Sequence, residues 1–253
     1  MTFFDPAPRY LAHRGLATDA PENTAAAIAA ALEVPATHIE TDIHVTADGH
    51  PVLWHDADLL RWDGTARLIR ELTLSHLQEQ LVDGHRIESL ADMLERFPNA
   101  HFNIDVKTPT ATEATADVVK QTGAQQRALL TSFNSATIDR LRKLVPDTYF
   151  GAGRGNIVQA VMAVAARSER GLRRALAGVD AVQIPPSIAG LSLISQRLLD
   201  AYHRHVQAVH VWTINDPAYM RELVELDGGG VDAVVTDRVD LARTALATSE
   251  TEA

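Results

Sequence analysis

Residues 38–45 read His-Ile-Glu-Thr-Asp-Ile-His-Val, and residues 101–107 read His-Phe-Asn-Ile-Asp-Val-Lys. Both carry the alternation of a β-strand, in which successive side chains point to opposite faces. In the first, Glu40 and Asp42 share one face, about 6.6–6.8 Å apart along the strand. Ile39, Thr41 and Ile43 take the other. In the second, Asn103, Asp105 and Lys107 oppose Phe102, Ile104 and Val106. Inward carboxylates in a strand are costly unless charged partners or a metal satisfy them. Two such strands offer three carboxylates and an ammonium to one cavity. Three oxygen ligands of this kind suit Mg²⁺ or Ca²⁺ better than Zn²⁺.

Outward from these two stretches, short β-like runs alternate with helical ones. The strand candidates are Tyr10–His13, His38–Val45, His101–Lys107, Arg127–Ser132, Thr148–Gly151, Ala181–Ile184, Val206–Thr213 and Val231–Thr236. Helical spacing or composition marks Ala25–Leu32, Thr112–Val119, Ala136–Leu144, Ile157–Ala177, Ser195–Tyr202, Asp216–Leu226 and Leu241–Ala247. Eight strands with intervening helices in 253 residues predict an α/β fold. A TIM (β/α)8 barrel fits better than an open doubly wound sheet, as one domain over residues 1–253.

Residues 46–97 interrupt the alternation and read as an insertion over the barrel's C-terminal mouth, where active sites of this fold lie. Ala47-Asp48-Gly49 predicts a hairpin returning through Pro51–Trp54, and Trp62-Asp63-Gly64 a second turn. Leu74, Leu77 and Leu81 mark one helical face, and Leu90, Met93, Leu94 and Phe97 another. Ser89, with Asp92 three residues on, predicts a helix cap.

Composition bounds the function. With 46% hydrophobic residues the chain buries a sizeable core, and with no cysteine it forms no disulfide and does no thiolate chemistry. The net charge of −10, from 33 acidic and 23 basic residues, argues against a nucleic-acid partner. The longest apolar runs, Ala25–Leu32 and Ala160–Ala166, fall far below the roughly 18 residues that cross a membrane. The N-terminal residues MTFFDPAPRY lack a basic segment followed by an apolar one, so no signal peptide and a cytoplasmic location are expected. The oligomeric state is left open.

Two histidines open short polar clusters, His13-Arg14-Gly15 and His55-Asp56, on either side of the Glu40/Asp42 strand. Phosphodiester hydrolysis needs one group to take a proton, another to give one, and a cation to neutralise the phosphoryl oxygens. Imidazoles serve the first two needs near neutral pH, and a carboxylate-held divalent ion serves the third. Each piece alone has a plainer reading. Glu40 and Asp42 could be solvated at a barrel end, Asp105 and Lys107 could form an i,i+2 ion pair, and His55 could be structural. The constellation is more specific than its parts.

The ordered motifs His13-Arg14-Gly15, Pro21-Glu22-Asn23-Thr24, Glu40-Thr41-Asp42, Asp48-Gly49, His55-Asp56, Asn103-Ile104-Asp105-Val106-Lys107, Val211-Trp212-Thr213-Ile214-Asn215 and Thr236-Asp237-Arg238 span nearly the whole chain. In these the sequence resembles the glycerophosphodiester phosphodiesterase family. The resemblance implies a TIM barrel with a small insertion, and hydrolysis of small-molecule glycerophosphodiesters to glycerol 3-phosphate and an alcohol. It implies that His13 and His55 are the acid–base pair and that Glu40, Asp42 and Asp105 hold Mg²⁺ or Ca²⁺. Arg14 and Lys107 would grip the phosphate, and Trp212 would line the substrate site. Asp105 stands where the family usually has Glu, one methylene longer. Glu88-Ser89-Leu90-Ala91 replaces the usual Pro-Thr-Leu-Glu, and Val239 stands where Pro often follows the final Asp-Arg.

Two rival readings remain. A phospholipase D-like enzyme acting on lysophospholipids or sphingolipids would need an apolar mouth, for which Leu59, Leu60 and Trp62 are the candidates. A catalytically silent ligand-binding barrel would have lost a histidine or a carboxylate, and none is lost. Around the site, Glu22 joins either its hydrogen-bond network or a helix start, and Phe133 and Gln183 are candidates for the pocket wall. His44, His101 and His210 read as structural or rim residues. His203 and His205 read as solvated, and Trp54 and Trp62 as packing within the insertion.

Overall fold

Eight parallel strands carry the chain once around a barrel: β1 (Tyr10–His13), β2 (His38–Val45), β3 (His101–Val106), β4 (Ala128–Thr131), β5 (Tyr149–Phe150), β6 (Ala181–Ile184), β7 (Ala208–Val211) and β8 (Ala233–Thr236). The structure is a computed structural model, and it describes residues 2–246 apart from Pro6, Pro8, Pro35, Thr37, Asp227 and Gly228. Hydrogen bonding runs β5-β4-β3-β2-β1-β8-β7-β6. The seam between β5 and β6 is bridged where Gly151 pairs in parallel with Ala181. An open doubly wound sheet would have two edges, and here they meet.

Parity sets the two sides of the wall. Ile39 and Ile43 of β2, with Phe102, Ile104 and Val106 of β3, pack outward into one apolar layer under the helices. Their alternates Glu40, Asp42, Asn103 and Asp105 turn inward. Pairing of β2 with β3 sets Glu40 beside Asn103 and Asp42 beside Asp105, so the carboxylates fall in adjacent layers of the lumen. A second outer layer, including Val182, Val209 and Val234, covers β6 to β8. Phe3, Leu11, Leu129, Ala181, Ala233 and Val235 fill the interior.

Several elements depart from the sequence expectation. The stretch Ile157–Ala177 is not one helix but two, Arg154–Ala165 and Glu169–Ala175. Arg167 turns into the left-handed region at φ 54°, and the Ser168 side chain caps the second helix. Strand β4 stops at Thr131, and the Ser132 hydroxyl donates instead to the Val106 carbonyl at 2.7 Å. Strand β7 is four residues rather than the eight of Val206–Thr213. The last helix is Val239–Ala245, and Ala247 lies outside the described residues.

The segment after β2 does form a hairpin, Pro51–Leu53 pairing antiparallel with Ile43–Val45. Trp62-Asp63-Gly64 is the end of a one-turn helix, Leu60–Asp63, closed by Gly64 at φ 78°. Leu81 lies beyond the helix Leu74–Glu79 and is exposed, so it is not part of that helix's buried face. Ser89 accepts from the Asp92 N–H and starts the helix Leu90–Arg96. Val52, Trp54, Leu59, Trp62, Ile69, Leu77 and Ile87 give the segment its own core, and Trp54 and Trp62 meet edge to face at 5.6 Å. Among the described residues no helix is long and apolar enough to cross a membrane.

The interior also holds buried histidines. His38 and His101 stack at 4.6 Å, and His38 Nε2 lies 2.7 Å from the Phe3 carbonyl. Burial pushes the His38 imidazole down to about 4 and His210 down to about 3. Unfolded, both titrate near 6.5. As pH falls through about 6.5 the unfolded chain takes up protons that the folded rings refuse, so stability is lost from there down to about 4 for His38 and about 3 for His210. Each ring is expected to cost on the order of 2 kcal/mol between neutral pH and about pH 4.5. The urea midpoint should drop accordingly at unchanged m value; a midpoint constant over that range would contradict it.

Candidate active site

The strand ends and the loops after them enclose a cavity of about 510 Å³. All eight residues singled out from the sequence line it: His13, Arg14, Glu40, Asp42, His55, Asp105, Lys107 and Trp212. Asn103, Phe133 and Gln183 line it too.

Each of the two histidines is fixed through Nδ1 by a carboxylate. His13, at the end of β1, has Nδ1 2.6 Å from Asp237 Oδ1, just past the end of β8. His55, in the segment after β2, has Nδ1 2.7 Å from its neighbour Asp56. A carboxylate at Nδ1 holds that nitrogen's proton and leaves Nε2 as the exchanging atom. His44 steadies the His55 backbone, its Nε2 lying 3.0 Å from the His55 carbonyl oxygen. Hydrogen bonding to His13 holds the Asp237 carboxyl below its ordinary range. Burial opposes the same shift in Asp56, but bonds from His55 and Arg61 outweigh it.

An alternating chain of charges runs across the floor. Lys107 Nζ lies 2.6 Å from both Asp42 Oδ1 and Asp105 Oδ2. Arg14 Nε pairs with Asp42 Oδ2 at 2.7 Å, and Arg14 Nη1 with Glu22 Oε1 at 2.9 Å. Arg61 reaches in from the inserted segment to the same Glu22 oxygen at 2.7 Å and also bonds Asp56. Glu22 therefore belongs to the network rather than to the helix start. Its neighbour Asn23, at φ 59°, donates to Asp42 Oδ2 at 3.1 Å and accepts from Thr41 at 2.7 Å. Gly15 makes the turn possible. At φ 88° with Ala27 carbonyl carbon 2.6 Å from where a Cβ would stand, no side chain fits between β1 and the helix Ala25–Glu33.

The three carboxylates are not equivalent. Burial raises Asp42, but Lys107 and Arg14 win and its carboxyl is held low. Burial raises Asp105 by more than Lys107 lowers it. Glu40 is pushed well up, by burial first and then by the charges of Asp42 and Asp105. Its Oε2 is buried without a hydrogen-bond partner. Burial disfavours the Lys107 ammonium, but Asp105 and Asp42 keep it well above its ordinary range.

Among the described residues, no group of three or more His, Asp or Glu side chains stands in metal-binding array. Lys107 fills the space between two of the expected ligands. The donor set nevertheless fits a hard cation, because Glu40 Oε2 accepts no hydrogen bond and meets His13 Nε2 only at 3.8 Å, beside two further carboxylates, so the site is short of positive charge. Asp237 and Arg61 are the members that local pattern did not single out. Asp237 stood within a recognised motif, but its partner is 224 residues away in the chain.

Residues 13–241 match the Glycerophosphoryl diester phosphodiesterase family. The chain is 32% identical over 239 residues to the "Probable glycerophosphodiester phosphodiesterase 2" of Mycobacterium tuberculosis, covering 93% of this chain and 89% of that one. The glycerophosphodiester phosphodiesterase structure from Thermotoga maritima is similar at TM-score 0.73 and 28% identity, covering 93% and 96% of the two chains. An Oleispira antarctica phosphodiesterase in complex with the product sn-glycerol-3-phosphate shares the fold at TM-score 0.78 and 23% identity, covering 97% and 99%. The fold and these relatives define a TIM-barrel phosphoric diester hydrolase. The chain belongs to the glycerophosphoryl diester phosphodiesterase family, and its activity is that of a glycerophosphodiester phosphodiesterase, which sets the silent-barrel reading aside.

Proposed function

We propose that the chain hydrolyses glycerophosphodiesters to glycerol 3-phosphate and an alcohol by proton exchange between His13 and His55. The observation that carries this reading is the pair of imidazoles in one cavity, each held at Nδ1 by its own carboxylate. One Nε2 takes the proton of the attacking oxygen, and the other gives a proton to the departing alkoxide. Arg14 and Lys107 bind the phosphoryl oxygens, and Asp42 holds both cations in place. Glu40, Asp42 and Asp105 would hold Mg²⁺ or Ca²⁺, which supplies charge neutralisation at the phosphoryl group. The product bound to the Oleispira antarctica protein supports glycerol 3-phosphate as the product here.

The attacking oxygen is assigned to the substrate. A glycerol moiety carries a hydroxyl beside its phosphoester oxygen, held at high effective concentration. Its attack on phosphorus expels the alcohol and forms a cyclic phosphate. Water then opens the ring, with the two histidines exchanging roles. The test is a glycerol 3-phosphate release assay run beside an analogue whose neighbouring hydroxyl is replaced by hydrogen. The analogue is expected to bind and to turn over at least about a hundredfold more slowly. Equal kcat for analogue and parent would sink the cyclic route and leave the phosphodiesterase activity in place.

A further inference from the structure

Charge is spread unevenly along the chain. Acidic residues outnumber lysine and arginine 33 to 23 overall, yet residues 154–204 hold seven arginines against three acids. That stretch builds the outer helices Arg154–Ala165, Glu169–Ala175 and Gln196–His203. Where the three meet they enclose a second cavity, of about 440 Å³, which shares no lining residue with the catalytic one. Arg167, Arg197 and Arg204 line it, together with apolar residues that include Val164, Leu172 and Ala201.

These arginines are only partly engaged. Among the described residues, the Arg167 side chain has no hydrogen-bond or ion-pair partner. Arg197 donates through one terminal nitrogen to the Val164 carbonyl and meets no carboxylate. Arg204 donates to the Asp200 carbonyl at 2.9 Å, and its other terminal nitrogen stands 3.6 Å from Glu169. Two carboxylates also line the cavity, but neither pairs with Arg167 or Arg197. Glu169 is taken up by His205 Nε2 at 2.7 Å as well as by Arg204. Asp200 accepts from Gln196 at 2.7 Å. Guanidinium groups grouped in one cleft without matching counter-charges, in a chain with an excess of carboxylates, mark a site for an external anion.

We propose that this second cavity binds a phosphate monoester, and that glycerol 3-phosphate is a ligand of it. The planar guanidinium fork matches phosphate oxygens in pairs, and the cavity brings three such forks together. A monoester carries close to two negative charges at neutral pH, whereas a diester carries one. The cavity therefore holds product and passes over substrate. The glycerol hydroxyls can donate to the lining carboxylates of Asp200 and Glu169. The choice of glycerol 3-phosphate rests on the phosphodiesterase reading above; the anion site itself rests on the arginines.

The test counts glycerol 3-phosphate bound per chain by equilibrium dialysis at about 0.15 M salt, where exposed charges are screened beyond about 8 Å. Two equivalents are expected, one at each cavity. Arg167→Gly removes a guanidinium and suits the left-handed backbone at φ 54°. Arg197→Gln keeps a donor for the Val164 carbonyl. Each variant is expected to weaken one equivalent at least about tenfold, while kcat and KM for glycerophosphocholine stay unchanged. Arg14→Ala is expected to weaken the other equivalent and leave this one. Glycerophosphocholine, dialysed against His13→Ala protein so that it is not consumed, is expected to bind at a single equivalent. A single equivalent of glycerol 3-phosphate in the wild type overturns the site. So do two equivalents that both arginine variants leave untouched, or a diester that fills both cavities. Failure to release glycerol 3-phosphate from any glycerophosphodiester would overturn the phosphodiesterase reading, and the binding count would still decide on the arginine cavity.

Discussion

His13→Ala and His55→Ala are each expected to lower kcat by about 10²–10⁴-fold, the range for loss of a positioned general acid or base. Both side chains sit at the cavity with partial exposure, and neither belongs to an apolar core cluster, so the variants should fold. Wild-type kcat/KM should follow a bell-shaped pH profile, and each variant should keep one limb of it. The leaving group separates the roles. With p-nitrophenol as the departing alcohol, the oxyanion leaves without needing a proton. The variant lacking the first-step acid should then recover most of its activity, while the variant lacking the base should not. Near-normal kcat on a natural diester in either folded variant would remove that histidine from the mechanism.

Asp237 and Asp56 bear on the same result from one step away. Each fixes a ring through Nδ1. The His55-Asp56 pair was legible in the sequence because its members are adjacent. The His13–Asp237 pair was not, since it exists only because β8 pairs with β1, Ala12 lying beside Thr236. Closure of the barrel makes half of the proposed acid–base pair, and no local pattern reports closure.

The fold was most legible where period-two alternation runs long. Strands β2 and β3 carry five or more alternating positions, and β2 begins and ends where its pattern does. Strands β5 and β7 are shorter than the sequence predicts: Thr148, Val206, Gln207, Trp212 and Thr213 fall outside the paired ladder, and Gly151 makes only an isolated bridge to Ala181. The break at Arg167 was hidden too. Apolar residues recur on both sides, Ala160 and Ala163 before the break and Leu172 and Ala175 after it, and the stop is a single left-handed residue and a serine cap. The apolar mouth was only partly legible: of its three candidates, Leu60 is exposed and the other two are buried. Leu59 and Trp62 are apolar and near His55 in sequence, yet they fill the inserted segment's own core. Five of the seven exposed large hydrophobic side chains among the described residues come from segments after β4, β5 and β6, remote in sequence from His55.

The same geometry makes the carboxylates the place where removing a charge should have the second large effect. Chelation is expected to abolish turnover, and Mg²⁺ or Ca²⁺ added singly should restore it. Three carboxylates, one with a buried oxygen that accepts no hydrogen bond, repel one another unless cations intervene. Lys107 and Arg14 neutralise Asp42, but no side-chain hydrogen bond satisfies Glu40 Oε2. Metal binding should therefore raise the melting temperature, by about 2.7 kcal/mol of stability at a hundredfold excess over Kd. Glu40→Ala and Asp42→Ala should remove most of that increment, which reads metal affinity without activity. Asp105 distinguishes charge from reach: Asp105→Glu should keep both the increment and turnover within about tenfold, whereas Asp105→Asn should lose them. Full activity in demonstrably metal-free enzyme would refute the metal assignment and leave Lys107 and Arg14 as the sole phosphoryl cations.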